Sequence, residues 1–77
     1  MTDAYVMVNC ELGAEEEIIE KLRELEPVKD VFETIGTHDM LVKLQAENFE
    51  SIRAIVSWDI QKLDKVRSTA TLIKKDN

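Results

Sequence analysis

Residues 28–46, VKDVFETIGTHDMLVKLQA, decide the fold of this 77-residue chain. Residues 28–35 are rich in β-branched and aromatic types, which predicts a strand. Residues 40–46 place Met40, Val42, Leu44 and Ala46 on one face of an extended chain, which predicts a second strand. Between them, residues 36–39, Gly-Thr-His-Asp, contain the glycine and aspartate that tight turns prefer. Two strands joined so closely should form a hairpin.

Equivalent segments lie on either side of this hairpin. Residues 4–10 predict a strand, because Ala4, Val6, Val8 and Cys10 would point to one side and Tyr5, Met7 and Asn9 to the other. Residues 65–74 predict a closing strand. Residues 14–25 and 49–63 carry apolar side chains at helical spacing, which predicts two amphipathic helices. The order is therefore βαββαβ, an α+β ferredoxin-like fold whose antiparallel sheet carries both helices on one face.

Each predicted helix has a candidate N-cap residue. Gly13 precedes the first helix and Asn48 precedes the second, and both residue types are favoured at that position. Pro27 cannot continue the first helix and marks its end. The apolar stripes predicted for the two helices are Ile18, Ile19, Leu22 and Leu25, and Phe49, Ile52, Val56, Ile60 and Leu63.

The length predicts one domain spanning residues 1–77. A chain this short buries only about 60% of the surface that its unfolded form exposes, and such chains usually need a disulfide, a metal or a partner subunit. Cys10 is the one cysteine and His38 the one histidine, which excludes an intrachain disulfide and a Cys/His zinc cluster. We therefore expect no metal and no cofactor, and oligomerisation remains as the means of stabilisation.

The composition argues against two classes of partner, nucleic acids and membranes. Ten Lys and Arg against sixteen Asp and Glu give a net charge of −6, which disfavours direct binding to DNA or RNA. The apolar runs are far shorter than the roughly 20 residues of a membrane span, so no membrane contact is expected. The N-terminus has no basic stretch or signal-peptide core, and the cysteine is unpaired, so we expect a cytoplasmic protein.

The sheet face that the helices leave uncovered, the open face, is predicted to be apolar. By alternation, the residues assigned to it are Tyr5, Met7, Leu41, Thr69, Thr71 and Ile73. The orientation of Phe32 is ambiguous because Glu33 interrupts the pattern of its strand. An antiparallel sheet that faces water on one side is polar there, so we interpret the open face as an interface between subunits. Scattered surface apolar residues are the alternative.

A family resemblance rests on four features together. The order of elements, Gly13 before the first helix, the turn Gly36-Thr37-His38-Asp39 and the closing run Val66-Arg67-Ser68-Thr69-Ala70-Thr71-Leu72-Ile73 resemble the effector-binding (RAM) domain of the Lrp/AsnC (feast/famine) regulators. The resemblance covers nearly the whole chain. It implies a homodimer formed through the open face, a dimeric α+β barrel, and assembly of dimers into larger, octamer-like rings. It also implies that an amino acid or related effector binds between dimers, near the turn.

The resemblance also bears on DNA binding. Full-length members carry a helix-turn-helix domain before this one, whereas this chain starts at the first strand. The chain is similar to stand-alone effector domains, for which no direct contact with DNA is implied. Such a module is expected to modulate full-length Lrp/AsnC regulators through mixed oligomers.

The turn residues are the core of the candidate site. Asp39 either binds a ligand ammonium, as the resemblance implies, or is a plain turn former. Thr69 and Thr71 either offer hydroxyls to a ligand or partner or simply suit a strand. The predicted ligand-binding residues are Gly36, Thr37, His38, Asp39, Thr69 and Thr71. The predicted dimer-interface residues are Tyr5, Met7, Leu41, Thr69 and Ile73.

No catalytic residue is predicted. His38 and Asp39 are adjacent in a turn and lack a positioned nucleophile. Cys10 alternates with core residues, which is typical of an inert buried side chain. We therefore expect a ligand-binding regulatory module that is not an enzyme. The alternatives are a purely structural oligomerisation module and, more weakly, a small dimeric α+β barrel enzyme that uses His38, Tyr5 and Asn9.

Overall fold

A computed structural model describes residues 1–74 and contains the predicted order of elements. The strands are β1 (Thr2–Cys10), β2 (Val28–Glu33), β3 (Met40–Ala46) and β4 (Val66–Ile73). The helices are α1 (Glu15–Arg23) and α2 (Phe49–Ala54), and α2 continues into a π-helical segment (Ile55–Ile60). The strands form one sheet in the order β2-β3-β1-β4, with every neighbouring pair antiparallel. The predicted ferredoxin-like α+β fold is confirmed.

The core lies between the helices and one face of the sheet. Every second residue of the central strands β1 and β3 is buried, as the alternation predicts. The buried residues of the helical layer are Ile18, Leu22, Ile52, Val56 and Ile60. All of these side chains form one apolar cluster, so both helices cover the same face.

The two helices begin differently. Ala14, and not Gly13, is the N-cap residue of α1, and its side chain offers no hydrogen bond. Gly13 has a φ of +88°, a left-handed conformation that favours glycine, so it turns the chain ahead of the helix instead of capping it. Asn48 caps α2 as predicted, because its Oδ1 accepts a hydrogen bond from the Ser51 N–H at 2.9 Å. Within residues 1–74, no helix has the length and apolarity needed to cross a bilayer.

The π-helical segment explains an unusual feature of the second apolar stripe. Ile52, Val56 and Ile60 recur every four residues, a spacing that drifts around an α-helix of 3.6 residues per turn. The π-helical segment has a wider turn, in which the Gln61 N–H donates to the Val56 carbonyl oxygen at 2.8 Å. The wider turn keeps all three side chains buried against the sheet.

The edge strand β4 contains a bulge that reverses the alternation of its side chains. Two adjacent residues of β1 pair with Val66 and Ser68, so Arg67 between them is the extra residue. Beyond the bulge, the residues that face the helices are Thr69, Thr71 and Ile73. The residues that face the open side are Ser68, Ala70 and Leu72. The predicted assignment of Thr69, Thr71 and Ile73 to the open face is therefore wrong.

The open face carries an apolar patch, which Lys43 borders beside Tyr5. The residues there are Tyr5, Met7, Phe32, Leu41, Ala70 and Leu72. A second bulge, at Lys29 in β2, resolves the ambiguous orientation of Phe32 and places it opposite Leu41. Phe32 is 47% exposed and Leu72 is 57% exposed, so this apolar surface is accessible in the single subunit.

Candidate functional site

The loop between β2 and β3 spans residues 34–39 and closes on itself. The Thr34 N–H donates to the Asp39 carbonyl oxygen at 3.1 Å, and Thr34 Oγ1 donates to the His38 carbonyl oxygen at 2.6 Å. Gly36 has a φ of +133°, which favours glycine, while a Cβ there would meet no atom within 4 Å. The glycine is therefore needed for the backbone conformation of the loop and leaves open space beside it. The loop brings together four of the predicted site residues, 36–39.

Asp39 attaches this loop to the end of β1. Its N–H donates to the Val8 carbonyl oxygen and to Asn9 Oδ1, both at 3.0 Å. Its Oδ2 accepts a hydrogen bond from the Cys10 N–H at 2.9 Å. The Cys10 thiol also hydrogen-bonds this carboxylate, so Asp39 contacts both the backbone and the side chain of Cys10.

Asn9 belongs to this site, although the sequence indicated it only for the enzyme alternative and not as a ligand-binding residue. Besides receiving the Asp39 N–H, its Nδ2 approaches Ser68 Oγ at 3.5 Å on the open face. The available signal was weak: one polar side chain at the end of an apolar strand. Asn9 therefore links the β2–β3 loop to β4 through β1.

His38 contributes an unpaired polar atom to the loop. Its Nδ1 is the one buried side-chain nitrogen or oxygen that lacks a hydrogen-bond partner within residues 1–74. The backbone N–H groups of residues 35–38 likewise make no hydrogen bond to the described part of the chain. A buried polar group without a hydrogen-bond partner costs free energy, so the loop is suited to bind a hydrogen-bonding group from outside the subunit.

Cys10 lies under the loop and is not a reactive centre. Its side chain is only 7% exposed. Burial raises the pKa of the Cys10 thiol, and the nearby negative charges of Asp39 and Glu15 raise it further. The thiolate is therefore disfavoured, in agreement with the interpretation of Cys10 as an inert core residue.

Thr69 and Thr71 lie apart from the loop within the subunit. Both face the helices, and β1 separates them from the strand on which the loop ends. Thr69 Oγ1 accepts a hydrogen bond from Gln61 Nε2 at 2.8 Å. Thr71 lines a groove on the helix side of β4. The structure thus gathers residues 36–39 but does not bring the two threonines to them.

The sheet order, the helices on one face and the loop at the end of the central hairpin define a ferredoxin-like α+β domain. The chain belongs to the Lrp/AsnC ligand binding domain family, whose model matches residues 3–74. No group of three His, Cys, Asp or Glu side chains suited to a metal ion lies within the described residues.

Relatives and solved structures agree with this assignment. The HTH-type transcriptional regulator FL11 of Pyrococcus furiosus is 27% identical over 70 residues, which are 91% of this chain and 46% of that protein. This chain therefore spans about half the length of that relative. The crystal structure of FFRP-DM1 is similar, with a TM-score of 0.93 and 25% identity. The match covers 97% of this chain and 100% of that chain. The chain is thus a ligand-binding domain of the type found in transcriptional regulators.

One structural neighbour contains a bound small molecule. The transcriptional regulator NMB0573 of Neisseria meningitidis, solved as a complex with L-Met, matches with a TM-score of 0.89 and 16% identity. The match covers 97% of this chain and 50% of that chain. At this identity the likeness concerns the fold.

Proposed function

We propose that this domain binds a free amino acid at the β2–β3 loop and acts as a regulatory module without catalytic activity. In this proposal the module forms dimers and larger, ring-like oligomers, and it modulates Lrp/AsnC-type regulators by entering mixed oligomers. Its own net charge of −6 argues against direct contact with DNA. The observation that carries the proposal is the buried, unpaired Nδ1 of His38 inside the loop.

The loop has the chemistry that an amino acid requires. The unbonded backbone N–H groups of residues 35–38 can donate to a carboxylate, as clustered N–H groups do in other anion sites. The Asp39 carboxylate can receive an ammonium. The Nδ1 of His38 is buried in this conformation, and a turn of the ring would bring it to the ligand as a further hydrogen-bonding atom. The space beside Gly36 allows a ligand to approach the backbone.

A second dimer would complete this site. Residues 34–37 are exposed, so one subunit provides only one wall. A ligand held between two dimers would favour the assembled state by its greater affinity for that state. The L-Met complex of the structural neighbour NMB0573 supports the choice of ligand class.

A thermal-shift screen of the twenty amino acids tests the proposal. A ligand present at about 100 times its Kd for the native state should raise the melting temperature by roughly 10–20 °C. His38→Phe keeps a ring of similar size but removes Nδ1, so it should abolish the shift without lowering the stability of the unliganded protein.

Gly36→Ala should also weaken ligand binding, because it strains the loop backbone. Gly13→Ala is its matched control: that glycine also has a positive φ with no atom within 4 Å of an added Cβ, but it lies outside the loop. If no amino acid raises the melting temperature, the purely structural oligomerisation module replaces this proposal. If His38→Phe binds as tightly as the unmodified protein, the ligand site lies elsewhere.

A further inference from the structure

A groove on the helix side of β4 is separate from the loop. It has a volume of about 440 Å³, within the range of small-molecule sites. Its lining residues are Phe49, Arg53, Val56, Ser57, Thr71 and Ile73. It lies toward the other end of the sheet from the loop, because Thr71 and Ile73 are beside Val6 and Ala4, whereas the loop is attached at Val8.

The groove exists because the helices do not cover the edge strand. One row across the sheet consists of Val42, Val6 and Thr71, all facing the helices. The two valines are 0% exposed, whereas Thr71 is exposed. The next row ends in Ile73, which is only half-buried although its neighbours Ala4 and Leu44 are 0% exposed. The layer of helices therefore stops before β4 and leaves a channel beside it.

The walls of this channel combine apolar surface with hydrogen-bond donors. Val56, Ile73 and the half-exposed ring of Phe49 supply the apolar part. The Arg53 guanidinium lies 5.8 Å from the centroid of the Phe49 ring and forms no salt bridge within residues 1–74. The hydroxyls of Ser57 and Thr71 make no side-chain hydrogen bond to the described part of the chain.

The π-helical segment contributes two of the lining residues, Val56 and Ser57. Such π-helical turns are rare and are frequently found at functional sites. An Arg side chain on an apolar wall matches a carboxylate, which it can bind through two parallel hydrogen bonds. An ammonium would instead be repelled.

We propose that the groove is a second small-molecule site, which takes a monocarboxylate with an apolar tail. The carboxylate pairs with Arg53 and accepts from the Ser57 or Thr71 hydroxyl, and the tail lies against Val56 and Ile73. The site differs from the loop in place and in chemistry, and it does not depend on ligand binding at the loop.

Titration of the ¹⁵N-labelled protein with hexanoate, followed by NMR, tests this site. Hexylammonium, which has the same tail and the opposite charge, is the ligand control. Hexanoate should cause saturable shifts at Val56, Ser57, Thr71 and Ile73, and hexylammonium should not. Arg53→Gln should weaken hexanoate binding about tenfold or more, since it removes a charge-assisted pair. Arg67→Gln removes an exposed arginine outside the groove and should leave the affinity unchanged.

Three outcomes would overturn the proposal. Equal binding of hexylammonium would show that the groove recognises only the apolar tail. An equal loss of affinity in Arg67→Gln would show a general effect of charge. Shifts of the groove signals that depend on protein concentration without hexanoate would show that a second copy of the chain occupies the groove.

Discussion

Asp39 occupies the point at which the loop, β1 and β3 meet. β3 begins at Met40, which pairs with Val8, so β1 has no strand partner on that side beyond Val8. The Asp39 carboxylate takes the place of that partner by accepting the Cys10 N–H. An unpaired backbone N–H in this half-buried position would cost free energy, so the side chain extends the sheet by one hydrogen bond.

Asp39→Ala should lower the free energy of unfolding by about 1–3 kcal/mol, the cost of leaving such a donor unpaired. Asp39→Asn keeps a carbonyl oxygen and should recover most of this loss. Asp59→Ala, which removes an exposed aspartate from the π-helical segment, is the control and should change stability little. Urea denaturation measures all three variants. Equal stability of Asp39→Ala and the control would contradict the role of Asp39 as a structural acceptor.

The turn between β2 and β3 could be predicted from residues 36–39, because turn chemistry is local in sequence. The partners of Asp39 could not be predicted, since Asn9 lies 30 positions away and Cys10 lies 29 positions away. Contacts over such distances depend on the register of β1 against β3, which no single segment determines. The role of His38 is also invisible in sequence, because burial of its Nδ1 results from tertiary packing.

The central elements of the fold were predictable and the edge strand was not. β1 and β3 are flanked by strands and covered by helices on one face, so every second residue is apolar and buried and the alternation can be read from the sequence. β4 lies at an edge, and each of its faces contains both apolar and small or hydroxylated residues, so neither face stands out as the core side. Assigning side chains to the two faces by strict alternation from Val66 therefore fails at the bulge, because one extra residue moves every later side chain to the other face.

The N-cap of α2 should contribute more to the stability of the protein than the short length of this helix suggests. The regular part of this helix is only six residues long before the π-helical segment begins, so each hydrogen bond of its first turn matters. Asn48→Ala should therefore destabilise the protein by about 0.5–2 kcal/mol, because the Ser51 N–H loses its acceptor. Asn48→Asp retains an acceptor and serves as the control. Thermal unfolding by circular dichroism measures both, and an unchanged melting temperature in Asn48→Ala would rule out a stabilising cap.

At the scale of the whole molecule, the two faces of the sheet differ in how much apolar surface they bury. The covered face buries the only extensive apolar cluster of the described residues, and the open face leaves a second apolar surface in contact with water. Small chains without disulfides or metals usually need a further source of burial. A second copy packed on the open face would provide it, since stable interfaces bury about 800 Å² on each partner.

Leu41 is the residue whose substitution should test this assembly best. It lies between Met7 and Phe32 on neighbouring strands, at the centre of the open face. The unmodified protein should have a mass in solution that is a multiple of the 8.9 kDa chain. Leu41→Lys places a charge where a partner would exclude water, so sedimentation should show dissociated or unfolded chains. Leu12→Lys introduces the same charge at a residue that is 98% exposed between β1 and α1, and it should leave the mass unchanged.

The melting temperature of the unmodified protein should also rise with its concentration, because association stabilises the folded state by mass action. A mass of 8.9 kDa for the unmodified protein, or an unchanged oligomer in Leu41→Lys, would show that the open face is not the interface.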